Sequence, residues 1–153
     1  MIVYRLSREK YKLDLSGKGA AKTGGRWNSR GVPVVYTSQS RALCTTEIAV
    51  NSAQGVIPDN YWLVTIELPD DIEILEINIS SLPGDWKAFP HPVSTQEIGD
   101  AFVRSGGYLV AKVPSVVVPG DFNYLINPMH SLFHKVKINN TEFFEFDKRL
   151  FLK

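Results

Sequence analysis

Residues 24–50 read GGRWNSRGVPVVYTSQSRALCTTEIAV, and the fold class follows from the elements this stretch lays down. Its opening belongs to a longer run, SGKGAAKTGGRWNSRG at 16–31, with glycines at 17, 19, 24, 25 and 31. Lys18, Lys22, Arg26 and Arg30 make that run basic, with no acid to neutralise them. Such a composition reads as a loop. VPVVYT at 32–37 is β-branched and reads as a buried strand, with Pro33 near its start. Ser40 then takes the N-cap place of a helix over 41–51, a segment without glycine or proline.

Working outward, Ile2 to Leu6 is apolar enough for a first strand, and Asn60 to Leu68 (NYWLVTIEL) for another. Ile72 to Ile79 alternates apolar and polar residues, as a half-exposed strand does. LPGDW at 82–86 is a turn. Residues 94–105 suit a helix capped by Thr95, with Ile98, Ala101 and Phe102 at helical spacing. Tyr108 to Val118 is strand-like but broken by Pro114. Phe133–Ile138 and Glu142–Phe146 suggest a closing hairpin around Asn139-Asn140. Strands dominate and helices are few, which is an α+β pattern and not a βαβ repeat.

One domain over 1–153 is expected, because two independent cores need about twice this length. A chain 44% hydrophobic and 22% charged is globular in composition. Seventeen basic against sixteen acidic residues give a net charge of +1, which removes the electrostatic case for non-specific nucleic-acid or membrane binding. A single cysteine, Cys44, excludes an intramolecular disulfide and a cysteine-based metal cluster. The start, MIVYRLSREKYKL, is too charged for a secretory segment, so the expected location is cytoplasmic.

Several residues are candidates for chemistry. The glycines of 16–31 would let the backbone approach a phosphate, although neither a Walker loop nor GxGxxG is present; a plain surface loop is the other reading. At ~100° per residue, Glu47 falls between Leu43 and Val50 on one side and Cys44 and Ile48 on the other. A carboxylate inside an apolar arc is costly unless partnered. It is either buried in a salt bridge to Arg5 or Arg26, or a cleft-facing acid. Ser115 follows Pro114 without a GxSxG, so it reads as a hydroxyl that orients a ligand or satisfies backbone. Asn123 and Asn127 bracket Tyr124-Leu125-Ile126, and Asn127 before Pro128 reads on its own as a turn. His130 and His134 sit in strand-like sequence, about 13 Å apart at ~3.3 Å per residue, so no metal site is expected.

Taken together, VYR at 3–5, GGRWNSRGVPVVYTSQSRALCTTEIAV at 24–50, VPSVVVPGDFNYLINPMHS at 113–131 and FEFDKRL at 144–150 resemble the RES domain, the toxin half of RES–Xre toxin–antitoxin pairs. An Arg, a Tyr ten residues later and a Glu eleven beyond it form a specific combination. The resemblance implies a fold similar to diphtheria-type ADP-ribosyltransferases, with twisted, mostly antiparallel sheets. It implies a toxin that depletes NAD⁺ by cleaving the nicotinamide–ribose bond, held in check by an Xre-like antitoxin with a DNA-binding domain. Modification of a host protein with ADP-ribose is the alternative, and a non-enzymatic nucleotide-binding module is a third. NAD⁺ would be substrate, with no other cofactor.

Carried over residue by residue, the resemblance places catalytic roles on Arg26, Tyr36, Glu47 and Ser115. Arg5, Gly25, Asn123 and Asn127 fall on the substrate-binding side. Cys44-Thr45-Thr46 stands where many relatives carry small aliphatic residues before the Glu. The chemistry fits such a set. A fixed carboxylate stabilises an oxocarbenium-like sugar, an Arg clamps pyrophosphate, and a Tyr stacks on the nicotinamide ring.

Overall fold

The computed structural model describes residues 1–152. Its strands are β1 (Ile2–Arg8), β2 (Val35–Ser38), β3 (Tyr61–Glu67), β4 (Ile74–Glu76), β5 (Val110–Pro114), β6 (Phe122–Ile126) and β7 (Lys137–Phe144). They form one seven-stranded sheet in the order β4-β5-β6-β2-β1-β3-β7. Only β4 and β5 run parallel; the other neighbours are antiparallel. The helices are α1 (Lys18–Thr23), α2 (Arg41–Asn51) and α3 (Val93–Ser105). The expected α+β class is the observed one.

The valine pair that announces β2 explains why this strand lies in the middle. Consecutive side chains on a strand point to opposite faces. Val34, just before β2, packs with Trp27, Trp86, Phe102 and Leu125 on the α3 side, while Val35 packs with Val3, Val64, Val110 and Ile126 on the other. β5 and β6 divide their residues in the same way, Val113 and Leu125 to the first face, Val110 and Ile126 to the second. A strand covered on both faces reads as an apolar run without alternation. A third cluster, Leu6, Cys44, Leu63, Phe146 and Phe151, lies under α2. Ser40 caps that helix as expected, its Oγ accepting from the Leu43 N–H at 3.1 Å.

The joint between β1 and β2 positions the site. β1 pairs with β3 along its whole length, but with β2 only at Tyr4 opposite Ser38. Beyond that pair the strands part, and the sheet becomes two halves meeting at one point. Arg5 and Ser7 on one side and Val35 and Tyr36 on the other line the resulting hollow.

Several sequence expectations are corrected. The 16–31 run is not all loop, because α1 forms inside it, anchored by Ala20 against the Trp27 cluster. Gly17 starts it at φ 74, where a Cβ would stand 2.7 Å from the Val34 nitrogen. The strand expected over 72–79 is confined to 74–76. The closing hairpin is instead a 3-10 turn at Phe133–Lys135 followed by one continuous strand, β7, through Asn139 and Asn140. β7 is an edge strand, so exposed asparagines cost it no core contacts. α3 begins at Val93 with Pro92 as N-cap; Thr95 is buried in its first turn and its hydroxyl donates to Pro92 O at 3.1 Å. The turn expected at Asn127 before Pro128 follows the end of β6, closed by the His130 N–H donating to Asn127 O at 3.2 Å.

α3 rides directly on the glycine-rich segment. A Cβ at Gly99 would lie 1.6 Å from the carbonyl oxygen of Trp27, a backbone atom with no room to yield. Gly99→Ala is therefore expected to destabilise the fold by about 3 kcal/mol or more, beyond the usual cost of overpacking. Thermal melting checks this, with a fall of at least ~6 °C expected for a chain of this size and an unchanged Tm contradicting the packing.

Candidate active site

A cleft of about 560 Å³ opens between α2, β2 and the segment after Trp86. Glu47 reaches it from α2, Tyr36 from β2 and Asn123 from β6, with Arg26, Phe89 and His91 on its other walls. A smaller hollow of about 270 Å³ shares Glu47, Tyr36 and Asn123 with it and extends to Arg5 and Cys44.

The Glu47 carboxylate settles the question the sequence left open. It makes no ion pair with Arg5 or Arg26. Oε1 instead accepts from the Ser115 hydroxyl at 2.9 Å and the Asn123 amide at 2.8 Å. Oε2 accepts no hydrogen bond among the described residues. Both donors are themselves fixed. Ser115 Oγ accepts from Val117 and Val118 N–H at 3.1 Å, and Asn123 Oδ1 accepts from Ser38 Oγ at 2.8 Å. Leu43 and Cys44 on α2 are buried as the helical wheel requires, whereas Val50 is 62% exposed and lies on the cleft wall. Cys44 sits behind the carboxylate, and burial pushes its thiol up to about 12.

Tyr36 is held by its hydroxyl. It donates to Asn28 Oδ1 at 2.6 Å and accepts from the Trp27 N–H at 3.0 Å. Asn28 has no exposed surface, and its Nδ2 donates to Ala20 O and Val32 O, tying α1 to the segment that leads into β2. Gly25 and Asn28 form an isolated antiparallel bridge, so the GGRWN segment is a tight, pinned turn. Gly25 is needed there because a Cβ would stand 2.7 Å from the Tyr36 hydroxyl oxygen. Asp100 completes the clamp, accepting from the Ser29 N–H at 2.9 Å and from its hydroxyl.

Arg26 is half-buried, and burial lowers its pKa, opposed by the nearby Glu47 carboxylate and the Tyr36 phenol. Its Nη1 donates to Trp86 O at 2.7 Å and Ala88 O at 2.9 Å, which fixes the segment carrying Phe89 and His91. Its other N–H groups make no hydrogen bond within the described residues. Arg5 donates to Asp14 O. His91 is edge-on to Phe89 at 5.3 Å, and burial, then Arg26, lowers its pKa.

Arg26, Tyr36, Glu47 and Asn123 thus meet in the larger cleft, lined also by Gly25. Arg5 joins the group in the smaller hollow. Ser115 is 3% exposed and meets it through the Glu47 carboxylate. Asn127 does not join. It is fully buried, its amide donates to Val103 O at 3.0 Å and its Oδ1 accepts from Met129 N–H, so it ties β6 to α3 and faces away from the cleft. Asn28 and Ser38 were not singled out from sequence, although Asn28 stands inside the GGRWN block. His130 and His134 lie in turns and not in a strand, and no cluster of three potential metal ligands exists among the described residues. Among the described residues no helix is long and apolar enough to cross a membrane.

The profile of the RES domain matches residues 2–147. The chain is 38% identical over 154 residues to "Toxin Res" of Photorhabdus laumondii, covering 98% of this chain and 97% of that protein. It is 38% identical over 143 residues to the "Prs ADP-ribosylating toxin" of a Sphingobium strain, covering 92% and 88%. Its fold superposes on a chain of the M. tuberculosis MbcT–MbcA toxin–antitoxin complex with a TM-score of 0.75 at 20% identity, over 98% of this chain and 86% of that one. The α+β fold expected from the sequence is the one this chain shares with that structure.

Removing the Tyr36 hydroxyl should be felt as stability. Tyr36→Phe leaves the buried Asn28 Oδ1 and the Trp27 N–H without partners, a cost of ~1–3 kcal/mol. A Tm lower by ~2–12 °C is expected; a mutant melting with the wild type would show that the clamp does not hold the turn.

Proposed function

The chain belongs to the RES domain family, and on that footing we propose that it is the toxin of a toxin–antitoxin pair that cleaves NAD⁺ between nicotinamide and ribose. The observation that carries this reading is the Glu47 carboxylate, with one oxygen locked by Ser115 and Asn123 and the other unpartnered beside an open cleft. A carboxylate held among protein side chains is ordinarily paired with a cation, and Glu47 is half-buried. Here two neutral donors hold it, which keeps its negative charge available to a positive ligand centre.

The nicotinamide of NAD⁺ leaves as a neutral base, so its departure needs no general acid. The C1′ carbon becomes oxocarbenium-like, and its positive charge develops beside Glu47. Preorganised electrostatics of this kind act chiefly on the transition state. Water then adds to C1′ and releases a proton, giving ADP-ribose; phosphate in place of water gives the phosphorylated product. Tyr36, pinned at its hydroxyl, offers its ring to the nicotinamide. Arg26 holds the Trp86–Ala88 wall and has N–H groups left for the pyrophosphate. Ser115 acts through Glu47 as a positioning residue. Growth arrest follows from NAD⁺ depletion, and an Xre-like antitoxin with a DNA-binding domain would restrain it; the toxin–antitoxin complex that shares the fold supports the partner's existence.

A second reading is transfer of ADP-ribose to a host protein, favoured by the relative named "Prs ADP-ribosylating toxin". The two share the first bond cleavage and differ in the acceptor. Purified protein incubated with NAD⁺, with and without phosphate, is expected to release nicotinamide together with free or phosphorylated ADP-ribose. Label from NAD⁺ appearing only on a protein acceptor would select the second reading. No nicotinamide release under either condition would overturn the first reading, and none after host proteins are added as acceptors would overturn both.

A further inference from the structure

Cleavage of NAD⁺ by water leaves one proton without a destination. The water oxygen must lose it as the bond to C1′ forms, and a side chain that takes it makes the capture irreversible. Until then the oxocarbenium-like sugar can return to the nicotinamide still beside it. Five titratable side chains line the Glu47 cleft: Arg26, Tyr36, Glu47, Lys87 and His91. Arg26 and Lys87 are cations with no lone pair to offer. The Tyr36 hydroxyl gives its proton to a hydrogen bond with Asn28 Oδ1, and burial raises its pKa. Glu47 supplies the negative charge that the sugar needs, and a proton on it would remove that charge. His91 remains.

The chain holds this imidazole in place from both sides. His91 stands in FPHP at 89–92. A proline fixes its own φ and restricts the residue before it to extended backbone, so Pro90 and Pro92 leave His91 little freedom. Upstream, Arg26 grips Trp86 O and Ala88 O; downstream, Pro92 is the N-cap of α3. The Phe89 ring meets the imidazole edge-on at 5.3 Å. Nδ1 is buried and has no hydrogen-bond partner among the described residues. No group donates to it, so nothing in the protein forces the ring proton onto Nε2, the nitrogen left to serve the cleft. Burial, then Arg26, lowers the His91 pKa, which keeps the ring neutral until the water arrives.

We propose that His91 is the base on the acceptor side of the reaction, its Nε2 taking the proton of the water that attacks C1′. The C1′–nitrogen bond breaks with its electron pair passing to nicotinamide. The water oxygen bonds to C1′, and the proton moves to Nε2 and from there to solvent. The assignment rests on the NAD⁺-cleavage reading and adds to it a residue that reading leaves without a part. Glu47 and His91 then divide the work by position: α2 brings the charge that stabilises the sugar, and the segment before α3 brings the lone pair that activates its acceptor.

Azide tests this, because it is a nucleophile with no proton to lose. Wild type, His91→Ala and His91→Gln are each incubated with NAD⁺ in phosphate-free buffer, with and without azide, and nicotinamide and the sugar product are followed. His91→Ala is expected to release nicotinamide ~10²-fold more slowly than the wild type. Azide is expected to restore most of that rate, with ADP-ribosyl azide as the product. His91→Gln is expected to behave in the same way and decides the matter if the alanine variant melts early. Release at the wild-type rate, or a loss that azide does not restore in a variant melting with the wild type, would overturn the assignment and leave the cleavage reading intact. No release by the wild type itself would overturn the hydrolytic reading and the assignment together.

Discussion

Oxygen Oε1 of Glu47 is where the structure is tied together. Through it α2 is joined to the end of β5 by Ser115 and to β6 by Asn123, and through Asn123 to Ser38 of β2. Ser38 is also the residue at which β2 meets β1, the one pairing that keeps the two half-sheets together. The same chain of hydrogen bonds therefore holds the carboxylate still and sets the point from which the hollows open. Neutral donors do this without removing the charge, which separates the arrangement from a structural salt bridge.

Around that centre a second set of contacts makes a rigid frame from a glycine-rich sequence. Tyr36, Asn28, Trp27 and Asp100 close on the turn at 24–29, and Arg26 extends the frame to the 86–88 segment. Glycine serves two distinct purposes here. Gly25 admits the Tyr36 hydroxyl, and Gly99 admits the Trp27 carbonyl. Both are close approaches of backbone, and both place walls of the cleft.

Much of this was legible in the sequence where one element decides its own conformation. The Ser40 cap and the unbroken 41–51 helix depend on local rules and came out as read, and the strand expected over 32–37 forms as β2 from Val35 to Ser38. The α+β class followed from them. The failures share a cause in tertiary context. α1 looked like loop because its glycines and lysines carry no pattern; Ala20 packing on the core and the Asn28 amide donating to Ala20 O hold it as a helix. β7 looked like a hairpin because Asn139-Asn140 is a turn signal, which the pairing with β3 overrides. The resemblance placed Asn123 and Asn127 together on the substrate-binding side; one faces the carboxylate and the other donates to Val103 O of α3, a difference set by what lies on each face. The choice between a salt-bridged and a cleft-facing Glu47 needed three segments far apart in the chain, and no local pattern contains it.

Glu47→Gln tests the account most directly. Glutamine keeps an Oε1 that accepts from both Ser115 and Asn123, so the frame is retained while the charge is removed. The variant, measured beside the wild type by thermal melting and by nicotinamide release from NAD⁺, is expected to melt within a few degrees of it and to turn over ~10²–10³ times more slowly. A variant that melts normally and consumes NAD⁺ at the wild-type rate would contradict the role given to the Glu47 charge.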